Sequence, residues 1–288
     1  MDAKLMFVHT LSPLHAGTGQ GVGVIDQPIA REKATEIPFL PGSSLKGVFR
    51  DACPEAERTN IFGPDTGNAD LHAGAVTFTD ARLLLLPVRS LRGVFAWVTS
   101  PLLLRRLVRD AHDVQGLSPL PQNIPSPSQD EACLVSDISS VLSMTIDGSQ
   151  KIILEDLPLD PSASSDVTQW AEWLGKALFS QDDEWKKTLQ ERLCIVSDDT
   201  LSFLLGTATE ITARIRLEDE KKTVAQGALW YEEALPVETV LVSLVVAAAT
   251  TKAKPDKVFE TVKSLTEKTL QFGGNATVGR GLCKATLI

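Results

Sequence analysis

The residue types best able to do chemistry in this chain gather near its start. Asp26 is the only acid between Asp2 and Glu32, and it lies in a long irregular stretch, residues 12–41, that holds Gly17, Gly19, Gly21 and Gly23 and several prolines. A loop that long inside a compact domain is usually functional. A carboxylate on such a loop can reach a substrate with no stiff element in its way, and can act there as a general base or hold a divalent metal. The plainer reading is that Asp26 caps the turn before Gln27-Pro28. His15 is the natural acid or base near neutral pH, or else a contact for a bound phosphate.

A second glycine-rich run, GGNATVGRG over residues 273–281, lies near the end of the chain. Glycines let a backbone approach phosphates closely and turn N–H groups toward them. Gly17, Gly19, Gly273 and Gly274 are candidates for that role, and Arg280, between two glycines, would add a cation with little shielding. Glycine-rich turns are common, so neither run specifies a ligand by itself. The segment PGSSLKGVFRDA reads as a helix capped by Ser43 or Ser44, with Leu45, Val48 and Phe49 as its apolar face. Lys46 and Arg50, four residues apart, share another face with Ser44 close by.

These pieces must be positioned by the rest of the chain. The net charge of −9 weighs against a polyanionic partner. Its distribution weighs the other way. Residues 110–249 carry 24 acids and nine Lys or Arg, residues 82–109 carry six arginines and no acid, and residues 251–288 carry seven basic residues and three acids. Two basic stretches flank an acidic middle, which allows a local basic groove; solvated helix faces would give the same counts. Apolar runs are too short to span a bilayer, no secretory signal is visible, and Cys53, Cys133, Cys194 and Cys283 are too scattered for a zinc site. Free thiols in a reducing cytoplasm are expected.

Strands are expected at residues 4–11, 75–88, 93–99, 151–154 and 237–248, and at the chain end from Leu282. Helices are expected from Pro101, at 167–179, at 183–193 and from Pro255. Residues 115–130 read as a Pro- and Ser-rich surface loop. From Thr207, two strands joined by a charged turn form a projecting hairpin. The order suits one α+β domain over 1–288, a ferredoxin-like sheet with helices on one face, an irregular and helical insertion at about 115–200 and a hairpin at about 207–235.

LSPLHAGTG, VIDQPIARE, IPFLPGSSLKGVFR, IFGP, ITARIRL, ALWYEEALP and the terminal FGG…GRG together resemble the RAMP superfamily of CRISPR-associated proteins, and most of all the backbone subunits of type III-B (Cmr) effector complexes. The resemblance implies a modified ferredoxin-like (RRM-like) palm that grips guide RNA and a hairpin thumb that enters the guide–target duplex. It implies partners: guide RNA, target RNA, further copies of the chain and other Cmr subunits. It also implies that each copy, as an endoribonuclease, cuts target RNA at regular intervals. Asp26 then becomes the cleavage residue and ligand of a divalent metal, Mg²⁺ or Mn²⁺, with His15, Tyr231 and Glu233 as further catalytic candidates. Ser44, Lys46, Arg50, Arg280 and the glycines become RNA contacts. Glu232 or Glu233 would serve as a second metal ligand or stay a strand-edge charge, and Trp230 would stack on a base or pack in the core. A non-catalytic RNA-binding scaffold, a guide-processing endoribonuclease of the same superfamily and the type III-A counterpart are the alternatives.

Overall fold

The structure, a computed structural model, describes residues 2–18, 25–64, 72–137, 140–218, 224–250 and 252–288, with backbone alone at 217 and 224–227. Its strands are β1 (Asp2–Thr10), β2 (Phe39–Leu40), β3 (Val76–Phe78), β4 (Ala81–Arg89), β5 (Phe95–Thr99), β6 (Ala132–Val135), β7 (Met144–Ile146), β8 (Ser149–Leu154), β9 (Leu157–Ala163), β10 (Leu193–Ile195), β11 (Glu210–Leu217), β12 (Val224–Ala234), β13 (Val240–Ala247), β14 (Leu270–Gln271) and β15 (Leu282–Leu287). The helices are α1 (Gly42–Ala52), α2 (Glu55–Phe62), α3 (Pro101–Ala111), α4 (Ser165–Leu178), α5 (Asp183–Arg192), α6 (Asp198–Thr207) and α7 (Pro255–Leu265).

All strands except β11 and β12 join one sheet in the order β14-β15-β1-β13-β4-β5-β10-β6-β9-β8-β7, with β2 against β4 and β3 against β13. At its centre β15, β1, β13 and β4 are antiparallel neighbours. Helix α1 lies in the connection from β1 to β4 and α7 in that from β13 to β15, a β-α-β-β-α-β order. The second half of β4 pairs with β5. From there the sheet continues through strands of three to seven residues.

The expectation of helices on one face is corrected. β1 is buried at six consecutive positions, too apolar for a strand with a wet side. Met6 and Val8 join the core with Leu45 and Phe49 of α1 and Val258 and Val262 of α7. Leu5 and Phe7 join a second core with Leu104 and Leu107 of α3 and Trp170 and Leu174 of α4. Helices therefore cover both faces. The Pro-rich stretch after α3 is held along α4 by Trp170 Nε1, which donates to Asn123 O at 2.8 Å, and Trp173 Nε1, which donates to Ser118 O at 3.2 Å.

The expected serine caps are corrected as well. Helix α1 begins at Gly42, behind Pro41, so Ser43 and Ser44 lie inside its first turn. Asp80, from the β3–β4 turn, accepts the Gly42 N–H at 2.8 Å. A Cβ at Gly42 would lie 2.4 Å from Phe78 O, so only glycine lets the helix start this close to β3. At α3 the start is as expected, but Ser100 makes no side-chain cap; Asp198 accepts the Leu102 N–H at 2.8 Å instead.

All four cysteines are free and buried. Burial pushes the Cys283 thiol up to about 12. Cys194 is raised well above its usual value by a hydrogen bond with Cys133, then by burial. Only the thiolate is nucleophilic. Alkylation by iodoacetamide at pH 8 is therefore expected to run at least ~10²-fold slower in the folded protein than in urea, as read by mass spectrometry. Fast labelling of Cys283 without denaturant would contradict this burial.

Candidate active site

Two-stranded β11–β12 stands apart from the main sheet. In its register Ile211 faces Glu233, Ala213 faces Tyr231 and Ile215 faces Leu229. Alternation puts these residues on one side of the hairpin, where Ile211, Ile215 and Leu229 are each more than half exposed. A hairpin alone is marginally stable in water, so its root must be held by the body.

The Asp26 loop does much of that holding. Past the undescribed residues 19–24, which include Gly19, the chain runs beside β12. Gln27 N–H donates to Tyr231 O at 3.0 Å and Glu233 N–H to Gln27 O at 2.9 Å. The Asp26 carboxylate accepts the Tyr231 N–H at 2.8 Å through Oδ2. Asp26 is exposed, and its other oxygen has no partner among the described residues. One carboxylate oxygen is thus anchored while the other faces solvent beside the exposed apolar face. The Tyr231 side chain is exposed on that same face.

His15 is buried, and its Nδ1 lies 2.7 Å from Glu233 O. A carbonyl only accepts, so Nδ1 carries the hydrogen and Nε2 is the atom that can exchange a proton. Nε2 points at Gly17, where a Cβ would lie 2.5 Å away. Behind the ring, Gly274 N–H donates to His15 O at 2.9 Å. Gly273, at φ +73°, leaves no room there, since its Cβ would lie 2.4 Å from His15 O. Gly17, Gly273 and Gly274 are therefore needed for contacts within the chain, whatever else they touch. The two glycine runs, distant in sequence, form one clasp.

The glutamates of β12 are not strand-edge charges. Glu233 is 3% exposed, and its carboxylate accepts from Arg31 at 2.6 Å, Thr209 Oγ1 at 3.0 Å and Ile29 N–H at 3.1 Å. Glu232 accepts from Trp230 Nε1 at 2.9 Å and Arg214 Nε at 3.1 Å. Both carboxylates are occupied, and no group of three His, Cys, Asp or Glu that could hold a metal occurs among the described residues. Of these three carboxylates, Asp26 keeps an oxygen with no partner among the described residues, enough for Mg²⁺ only where phosphate oxygens and water complete the shell.

Arg280 departs from its expected open setting. It is buried, with its guanidinium 3.1 Å from Glu210 Oε2 and 3.2 Å from Thr212 Oγ1, so it staples the hairpin to the second glycine run. On α1, Arg50 donates to Gly63 O at 2.5 Å. Lys46 is lowered from its usual value by partial burial and by the Arg50 charge. The Phe49 ring stacks on Phe78 and meets Phe272, the residue before Gly273, which ties α1 to the clasp. Arg31 and Thr209 were missed in the sequence, since nothing local marks a basic residue whose partner lies 202 positions away.

Residues 7–284 match the RAMP superfamily, and the chain belongs to it. Within that superfamily it is 38% identical to the CRISPR system Cmr endoribonuclease Cmr4 of Pyrococcus furiosus, across all of this chain and 96% of that protein. It is 24% identical to the CRISPR system CMR subunit Cmr4 of Saccharolobus solfataricus, over 97% of this chain and 94% of that one. The crystal structure of oligomeric Cmr4 from Pyrococcus furiosus superposes with a TM-score of 0.71 at 30% identity, covering 100% and 99% of the two chains. A chain of the type III-B Cmr-beta complex bound to cognate target RNA superposes with a TM-score of 0.74 at 20% identity, covering 100% and 97%, a likeness of fold.

Proposed function

We propose that this chain is the repeated backbone subunit of a type III-B CRISPR effector, gripping guide RNA and cutting target RNA at each hairpin. The observation that carries this reading is the Asp26 carboxylate, fixed through one oxygen at the hairpin root and open to solvent through the other. A relative 38% identical is named an endoribonuclease, and a relative of similar fold has been seen as an oligomer.

RNA carries its own nucleophile. The 2′-hydroxyl attacks the adjacent phosphorus, the bond to the 5′-oxygen breaks, and a 2′,3′-cyclic phosphate is left. The protein must remove the hydroxyl proton, return one to the leaving oxygen and steady the charge on phosphate. The free oxygen of Asp26 takes the first proton or holds Mg²⁺ or Mn²⁺, which when bound would stabilise that charge. Nε2 of His15 is the second group able to move a proton. Tyr231 contributes its N–H, which aims Asp26, and its exposed ring for a neighbouring base. Glu233 fixes the segment behind Asp26. Lys46, Arg50 and Ser44 on α1 meet guide phosphates, and the exposed Ile211, Ile215 and Leu229 enter the guide–target duplex.

The test is reconstitution with guide RNA and a matched target. Evenly spaced cuts that vanish on Asp26→Asn support the reading. Equal cutting by both forms would leave the chain an RNA-binding scaffold, and processing of precursor RNA by the isolated chain would make it a guide-producing enzyme.

A further inference from the structure

The segment behind Asp26 is held by several ties. Gln27 exchanges backbone hydrogen bonds with β12, and Ala30 N–H donates to Ala16 O at 2.7 Å. The Ile29 N–H is held by the carboxylate of Glu233, also on β12. That carboxylate is buried, and Arg31 is the one cation bonded to it among the described residues. Arg31 also donates to Glu36 O at 2.9 Å and to Leu205 O at 3.1 Å. Leu205 lies in the last turn of α6, where the helix dipole favours a cation.

We propose that Arg31 is a positioning residue of the cleavage site, joining the Asp26 segment, the hairpin root and the end of α6 through one guanidinium. The proposal rests on the reading of Asp26 as the cleaving carboxylate. Without Arg31, Glu233 is a buried charge with no counter-charge, which is strongly unfavourable. Its carboxylate then turns toward water and loosens its hold on the Ile29 N–H. Asp26 lies three residues before Ile29 in the same segment, so its carboxylate shifts relative to the Tyr231 N–H. A displacement of about 1 Å at a reacting group costs on the order of 10²-fold in rate.

The experiment uses the assembled complex carrying Arg31→Met, Arg31→Lys, the double variant Arg31→Met with Glu233→Gln, and Asp26→Asn as reference. Single-turnover cleavage, target affinity and amide hydrogen exchange over residues 25–31 are measured for each. Arg31→Met is expected to slow cleavage by roughly 10²-fold, to leave target affinity within about twofold and to speed exchange over residues 25–31. Arg31→Lys keeps the charge and recovers part of the rate. The double variant also recovers part, because neutral Gln needs no cation and can still accept from Ile29. Weaker RNA binding with a salt dependence smaller by about one charge would make Arg31 a phosphate ligand and overturn the proposal. So would unchanged cleavage and exchange in Arg31→Met. If Asp26→Asn still cuts, the catalytic reading falls separately, while the exchange data decide whether Arg31 fixes the segment.

Discussion

Asp26→Asn is expected to lower target cleavage by on the order of 10³-fold or more, within the range that a positioned acid–base group supplies, while assembly and target affinity stay within about twofold. Asparagine suits the test because it has the shape of aspartate and keeps an oxygen to accept the Tyr231 N–H. It also caps turns about as well. If Asp26 only fastened its loop to β12, the variant would cut like the parent. What asparagine lacks is the negative charge and the basicity of the second oxygen. Chelation with EDTA separates the two uses of that oxygen. A metal-holding Asp26 makes the parent complex fall to the level of the variant in EDTA, and a general base leaves it cutting.

Gly281→Ala is expected to cost about 3 kcal/mol or more in folding stability. Gly281 has φ +78°, a left-handed conformation that costs a residue with a Cβ about 1–2 kcal/mol. A Cβ there would also lie 1.9 Å from Phe272 O, inside any tolerable contact. The backbone cannot easily yield, because Phe272 N–H donates to Gly281 O and Gly281 N–H to Pro13 O, both at 2.8 Å. For a chain of this length the midpoint of thermal unfolding should fall by at least roughly 6 °C. Gly279→Ala is the internal control. Its φ is +83° but nothing lies within 4 Å of the added Cβ, so only the conformational cost of about 1–2 kcal/mol applies. Equal losses for the two variants would mean that the clasp is looser than its geometry.

What could be read from the sequence followed how local each signal was. The hairpin was legible because alternation and a charged turn are encoded within a few residues. So was the start of α3 at Ser100-Pro101. Caps supplied from a distance were not: Asp80 and Asp198 complete α1 and α3, and nothing near Gly42 or Leu102 announces them. Most of the strands between residues 132 and 195 were missed because they are short and β9 contains Pro158 and Pro161, which read as loop. At the site, Asp26 and His15 stood out by isolation and residue type. The duties of Glu233 and Arg280 did not, because burial by partners from other elements turned two apparently free charges into fasteners. The glycine runs were noticed for a reason that differs from their intramolecular use, since a glycine that admits a phosphate and one that admits another loop look alike in one dimension.

Polar ties join the hairpin to the body, among them Arg280 to Glu210, Arg31 to Glu233, His15 to the Glu233 carbonyl and Asp26 to the Tyr231 amide. Such ties have narrow angular tolerance, unlike an oily contact that can slide. A tilt of β12 therefore moves the Tyr231 amide that Asp26 accepts. The angle of the hairpin and the competence of the carboxylate become one variable, and any ligand that favours one angle over another is coupled to whatever Asp26 holds. Coupling of that kind is reciprocal. If Asp26 binds an ion or phosphate as proposed, a strand paired along the hairpin's apolar face changes that affinity by the same factor as the ion or phosphate changes the affinity for the strand.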